Sequence, residues 1–167
     1  MPAAKATKST TVVAKATKFS KVLVSGKRAK STIGDAERAA IAKLSACTAL
    51  SLTRVVLPDL TCALLLPKLA SLELYGTSIA DWSALAGIKT LRSVFINGIR
   101  DPDKLSVLST LVQLTEITVI NQPTLTTMPS LAKLTKLRSV SVMFCKRMGD
   151  LTAFERRLPE RCVLETA

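Results

Sequence analysis

The sequence predicts an α/β fold: a curved parallel sheet whose strands follow one another in chain order, joined by helical or irregular returns, and preceded by an N-terminal capping helix and a disordered basic tail. Three observations carry the prediction. Two apolar residues separated by one small or polar residue, the mark of a strand with one buried face, occur at Leu50/Leu52, Leu72/Leu74, Val94/Ile96, Ile117/Val119 and Val140/Val142, with a degenerate last copy around Val163. The copies recur at steps of 22, 22 and then 23 residues. Apolar residues make up 48% of the chain and aromatics only 4%, which suits aliphatic stacking between repeats.

The clearest unit is residues 69 to 90, LASLELYGTSIADWSALAGIKT. Leu72 and Leu74 alternate as in a short strand, Ile79 and Trp82 follow a turn, and Leu85 and Ile88 recur at helical spacing. The unit before it keeps the same register, with Leu57, Asp59, Leu60, Ala63 and Leu66 equivalent to Ile79, Asp81, Trp82, Leu85 and Ile88. In the later, longer units Pro102, Leu125 and Met148 correspond, as do Leu105, Met128 and Leu151, and Leu108, Leu131 and Phe154.

In period and pattern, residues 47 to 167 resemble the leucine-rich repeat family. The resemblance implies a leucine-rich repeat solenoid that recognises proteins. That family usually carries Asn or Cys nine residues into the unit, where the side chain satisfies turn backbone. Here the positions hold Thr77, Ile99, Gln122 and Cys145, so only the last matches, and a less regular solenoid is expected.

The net charge of +12 is concentrated at one end. Lys5, Lys8, Lys15, Lys18, Lys21, Lys27, Arg28 and Lys30 fall within residues 1 to 34, which contain no acidic residue. Residues 1 to 30 form a low-complexity segment with a repeated AKATK, too poor in apolar area to offset chain ordering, and the expectation is a disordered basic tail in which Val22 to Val24 form a short extended piece. These eight cations are the candidate polyanion-binding residues. The absence of acids also suits a mitochondrial presequence, but lysine outnumbers arginine seven to one, and on a helix Val12, Phe19 and Val22 share a sector with the lysines. Residues 31 to 46 read as a capping helix that covers the first strand: Asp35 and Glu37 sit at its positive end, and Ile41 and Leu44 form its apolar stripe. Residues 47 to 167 form the repeat domain.

Alternation leaves the residues between the core positions on the open, concave face. The stretch from Ala49 to Met143 puts small and hydroxyl side chains there, with a few large anchors and two acids, and no Lys or Arg. Such a face is a poor phosphate cradle, since nucleic-acid affinity rests on aligned cations. It suits a protein partner: Tyr75 and Phe95 form one anchor pocket, Glu73 and Glu116 flank it to pair with a basic residue, and Asn97, Ile120 and Met143 complete the candidate surface.

The sequence argues against catalysis. There is no histidine to serve as a base or metal ligand, and no Gly-rich phosphate loop, paired-carboxylate motif or nucleophile motif. Cys47, Cys62, Cys145 and Cys162 lack the close pairing of a zinc site and read as reduced, mostly buried thiols, so neither metal nor cofactor is expected. The most apolar stretch, residues 55 to 74, is broken by Pro58, Asp59, Pro67 and Lys68, and no membrane insertion is expected. The resulting expectation is an intracellular, cytoplasmic or nuclear, non-enzymatic adaptor or scaffold subunit of a larger assembly, with a mitochondrial location as the alternative. Its concave face engages a protein and its basic tail lies on RNA or an acidic protein surface. The competing class is an RNA-associated ribonucleoprotein component in which the tail and the convex cations do the binding.

Overall fold

A computed structural model describes residues 13–16, 21–26 and 32–166 of the chain. Its elements in order are β1 (Val13–Ala16), β2 (Lys21–Ser25), α1 (Asp35–Ala42), β3 (Ala49–Thr53), β4 (Val56–Asp59), β5 (Ser71–Tyr75), β6 (Ser78–Asp81), β7 (Ser93–Asn97), β8 (Glu116–Ile120), β9 (Ser139–Met143), α2 (Thr152–Glu155) and β10 (Val163–Thr166). The protein is α/β with few helices. Its main sheet runs β1-β2-β3-β5-β7-β8-β9-β10, and the seven strands from β2 onward are all parallel. β4 and β6 pair separately as a small parallel sheet. Three returns contain 3-10 turns, at Thr61–Leu65, Ser83–Gly87 and Pro102–Thr110.

Register places the apolar residues in rows. Val22, Leu50, Leu72, Val94, Ile117, Val140 and Leu164 pair side by side across the seven strands, and Val24, Leu52, Leu74, Ile96, Val119 and Val142 form a second row. All of these except Leu164 are at most 3% exposed. Each aliphatic thus hides the flank of the one before it, and at about 25 cal/mol per Å² this burial is the main stabilising contribution. Successive returns extend the core with Leu57, Ile79, Leu85, Leu105, Leu108 and Leu131.

The two ends of each strand repeat as well. At strand starts one carbonyl accepts two amides: Thr48 from Ala70 and Ser71, Ala70 from Arg92 and Ser93, Arg92 from Thr115 and Glu116, and Thr115 from Arg138 and Ser139. At strand exits the chain turns through a left-handed residue five times, at Arg54, Gly76, Gly98, Asn121 and Phe144, with φ between 53° and 61°. Glycine adopts this conformation freely, whereas Arg54 and Phe144 hold it against the clash between Cβ and the carbonyl.

The Thr77, Ile99, Gln122 and Cys145 column follows these exits. Thr77 and Gln122 are fully buried, and Cys145 is half-buried. Oriented by its partners, the Gln122 carboxamide accepts from the Ile99 and Gly98 amides, both at 3.0 Å, and donates to the Ile99 carbonyl at 3.1 Å. The longer glutamine therefore satisfies the turn of the preceding unit, whose own side chain at this position is apolar. Cys145 Sγ donates to the Met143 carbonyl at 3.4 Å.

Several expectations need correction. The segment expected to be a disordered tail contributes β1 and β2 to the sheet, with β1 antiparallel to β2 and β2 parallel to β3. β2 belongs there because Lys21–Ser25 alternates buried and exposed side chains with Val22 and Val24 in the core rows. Helix α1 consequently does not cap the first strand of the parallel set. It is the return between β2 and β3, its N-terminus closed by Glu37 accepting from the Gly34 amide at 2.9 Å. The last copy is also displaced by one residue: Leu164 pairs with Val140, and Val163, opposite Ser139, is 60% exposed.

Candidate functional site

The open face of the sheet consists of the residues between the core rows, and register puts them in rows too. One row reads Lys21, Ala49, Ser71, Ser93, Glu116, Ser139 and Val163. The next reads Leu23, Ser51, Glu73, Phe95, Thr118, Ser141 and Glu165, and the third Ser25, Thr53, Tyr75, Asn97, Ile120 and Met143. The seven predicted partner-binding residues, Glu73, Tyr75, Phe95, Asn97, Glu116, Ile120 and Met143, all lie on this face within four adjacent strands, β5 to β9 in sheet order. Glu116 is exposed and the other six are half-buried.

At its centre Tyr75 and Phe95, diagonal neighbours on β5 and β7, set their rings 5.1 Å apart at 36°. A tilted pair at this separation is favourable by about 0.5 to 1.5 kcal/mol beyond its buried area. The Tyr75 hydroxyl donates to Glu73 Oε2 at 3.4 Å. Burial, and then the neighbouring Glu73 charge, push the Tyr75 phenol above its ordinary value, so it stays a neutral donor. Beside the pair a hollow of about 420 Å³ opens at the strand exits, lined by Thr53, Arg54, Tyr75, Gly76 and Asn97. Asn97 Oδ1 accepts from Asn121 Nδ2 at 3.2 Å.

The expected absence of Lys and Arg from this face is overturned by Lys21. Because β2 joins the sheet, Lys21 Nζ reaches over β3 to Glu73, 2.6 Å from Oε1 and 2.5 Å from Oε2. Small side chains at Ala49 and Ser51 leave room for that span. Lys21 thus belongs to the open face rather than to the tail, and Glu73 holds a cation of its own chain. Its alternation was legible in the sequence, but the step of 28 from Val22 to Leu50 broke the period that locates the other strands. Of the remaining polyanion-binding candidates, Lys15 lies on β1, and Lys5, Lys8, Lys18, Lys27, Arg28 and Lys30 lie outside the described residues.

On the far half of the face Ser141 donates to Glu165 Oε2 at 2.6 Å. Glu116 has no ion-pair partner among the described residues. Together these carboxylates give the strands beyond β5 an acidic open face with no cation on it.

A separate cleft of about 200 Å³, in the last returns, is lined by Met128, Met148, Leu151, Phe154, Asp150 and Arg157 and lies away from this cluster. Cys47 and Cys62 are buried, Cys145 and Cys162 half-buried, and all four are free thiols. Burial pushes the Cys62 thiol up to about 11, leaving it protonated and unreactive. Among the described residues no three His, Cys, Asp or Glu side chains gather as a metal site, and no helix is long and apolar enough to cross a membrane. In comparisons with known proteins, no family model and no curated protein matches the chain.

Proposed function

We propose that the chain is a leucine-rich repeat solenoid that works as a non-enzymatic adaptor, binding a protein partner on its open face and attaching to an acidic surface through its basic N-terminal residues. The observation that carries this reading is the Tyr75–Phe95 pair, two half-buried aromatic rings held together on a face where small, hydroxyl and amide side chains predominate, with Glu73, Ile120 and Met143 as the larger neighbours. Rigid aromatic anchors surrounded by small polar side chains are where binding energy concentrates in protein interfaces. The seven-strand register that aligns Val22 through Leu164, with steps of 22 to 24 residues after β3, supports the repeat assignment. The acidic carboxylates of Glu116 and Glu165 favour a partner segment that brings a basic residue beside its apolar anchor.

The test is affinity purification of the full chain and of Tyr75→Ala/Phe95→Ala, each with and without ribonuclease. The double variant is expected to stay folded, with a melt lowered by the loss of the ring pair, and to lose ribonuclease-resistant protein partners, each anchor contributing about 2 kcal/mol, or roughly 30-fold in affinity. Retention of every partner by the folded double variant rejects the adaptor assignment.

A further inference from the structure

The folded body carries a second charged surface, distinct from the open face, at the edge where strands β5, β7, β8 and β9 begin. The chain reaches each strand through five residues of one pattern: 66–70 (LPKLA), 88–92 (IKTLR), 111–115 (LVQLT) and 134–138 (LTKLR). The first and fourth residue of each loop is buried, from Leu66 and Leu69 to Leu134 and Leu137. The remaining positions turn outward, and no acidic residue occupies any of them. They hold Lys68, Lys89, Arg92, Lys136 and Arg138, all exposed.

The backbone stacks these loops. Arg92 N donates to the Ala70 carbonyl at 2.8 Å, Thr115 N to Arg92 at 2.7 Å and Arg138 N to Thr115 at 2.8 Å. Arg92 and Arg138 are therefore two ladder steps apart, about 10 Å. Lys136 Nζ donates to Gln113 Oε1 at 2.6 Å across to the neighbouring loop, and Arg92 to the Lys89 and Leu91 carbonyls at 3.2 and 3.1 Å. These are hydrogen bonds to neutral groups. Among the described residues none of the five cations forms an ion pair. A line of uncompensated cations raises the energy of the folded state by mutual repulsion, and the apolar positions of the loops determine the fold without them.

We infer that this edge binds a nucleic-acid sugar-phosphate backbone without reading its sequence. Five cations along a span of about 15 Å match the linear charge of a single strand. Gln113 and Thr135, interspersed among them, supply neutral donors of the kind that bind phosphate oxygens, whereas the Thr90 and Thr115 hydroxyls donate to the Leu69 and Arg92 carbonyls. No aromatic residue lies in the four loops, so bases find no stacking platform and recognition stays with the backbone. The inference does not rest on the open-face reading, because the edge and the Tyr75–Phe95 pair share no residue.

The experiment compares the full chain with Lys89→Gln/Arg92→Gln/Lys136→Gln/Arg138→Gln, using a fluorescent single-stranded oligouridylate and anisotropy between about 50 and 200 mM salt. Each phosphate of a single strand that the variant no longer neutralises reduces the slope of log affinity against log salt by about 0.7, so four make it shallower by about 3. Affinity at the low-salt end is expected to fall at least about tenfold with an unchanged thermal melt. The N-terminal cations are present in both proteins and cancel in the difference. An unchanged slope overturns the inference, since those cations then do all the binding. So does an effect confined to poly-glutamate or to phosphatidylserine vesicles, which would make the edge a site for acidic protein or lipid. If the quadruple variant fails to melt like the parent, the Arg92→Gln/Arg138→Gln pair is read instead, with a slope change of about 1.4. Tyr75→Ala/Phe95→Ala is expected to leave the slope untouched, which keeps failure here separate from failure of the adaptor reading.

Discussion

Lys21 and Glu73 are 52 residues apart in sequence and 2.5 Å apart in space, joined across the strand that lies between them. Their side chains keep only 27% and 20% of their exposure, so the pair is partly withdrawn from solvent screening. The same carboxylate accepts from Tyr75, which stacks on Phe95. One ion pair therefore fastens β2 to the sheet and orients the aromatic anchor.

Lys21→Met, which keeps the aliphatic stem and removes the charge, is expected to destabilise the fold by about 1 to 2 kcal/mol, because Glu73 is left half-buried without its cation. Urea unfolding of Lys21→Met, Glu73→Gln and the double variant measures this. A coupling energy near zero would mean that the pair contributes nothing to stability.

The left-handed strand exits predict opposite responses at equivalent positions. Arg54→Gly and Phe144→Gly relieve the Cβ clash at φ 54° and 55° and should raise stability by up to about 1 kcal/mol, net of the greater freedom of glycine when unfolded. Gly76→Ala and Gly98→Ala should lower it by about 1 to 2 kcal/mol. Thermal melts of the four single variants check the sign at each site.

Gln122 carries a different kind of prediction. Gln122→Leu fills the same space but leaves the Ile99 amide and carbonyl without their partner, while the Gly98 amide keeps its bond to the Ile120 carbonyl at 3.1 Å. The expected loss is about 2 to 4 kcal/mol, against less than about 1.5 for an apolar swap of like volume elsewhere in the core. Hydrogen exchange at the Ile99 amide should accelerate more than at Gly98 or Val94.

Asp59, Asp81 and Asp150 each accept, two residues on, from the amide and hydroxyl of Thr61, Ser83 and Thr152, with amide distances of 2.8 Å. For Asp59 and Asp150 the hydroxyl bond and then the amide bond hold the carboxyl below its ordinary value. For Asp81 the amide bond comes first. A carboxyl depressed in the folded state contributes stability above its unfolded pKa, about 3.9, and that contribution is lost as pH falls through the lower folded value. Melting temperature should therefore drop below about pH 4. Asn at all three positions, which keeps the acceptor and removes the titration, should flatten that part of the profile.

Much of the parallel sheet was legible in the chain because a strand with one buried face must alternate, and the alternation recurs at 22 and 23 residues. Leu72, Val94, Ile117 and Val140 needed nothing more to be placed in neighbouring strands, and Tyr75 and Phe95 followed on the opposite face. β2 was not legible as part of the sheet, since it stands 28 residues before β3 inside a segment whose composition argues for disorder. Val163 was misplaced by one residue because Val163 and Leu164 are equally apolar, and only pairing with β9 chooses between them.

The sequence by itself determined which residues are apolar, how often they recur and hence which side of each strand is buried, because those follow from local alternation and period. Tertiary structure alone decided which polar groups meet: Lys21 with Glu73, and Gln122 with the Ile99 turn. Meetings of that kind depend on sheet order and side-chain reach across intervening strands, and neither is encoded in the spacing of any single segment.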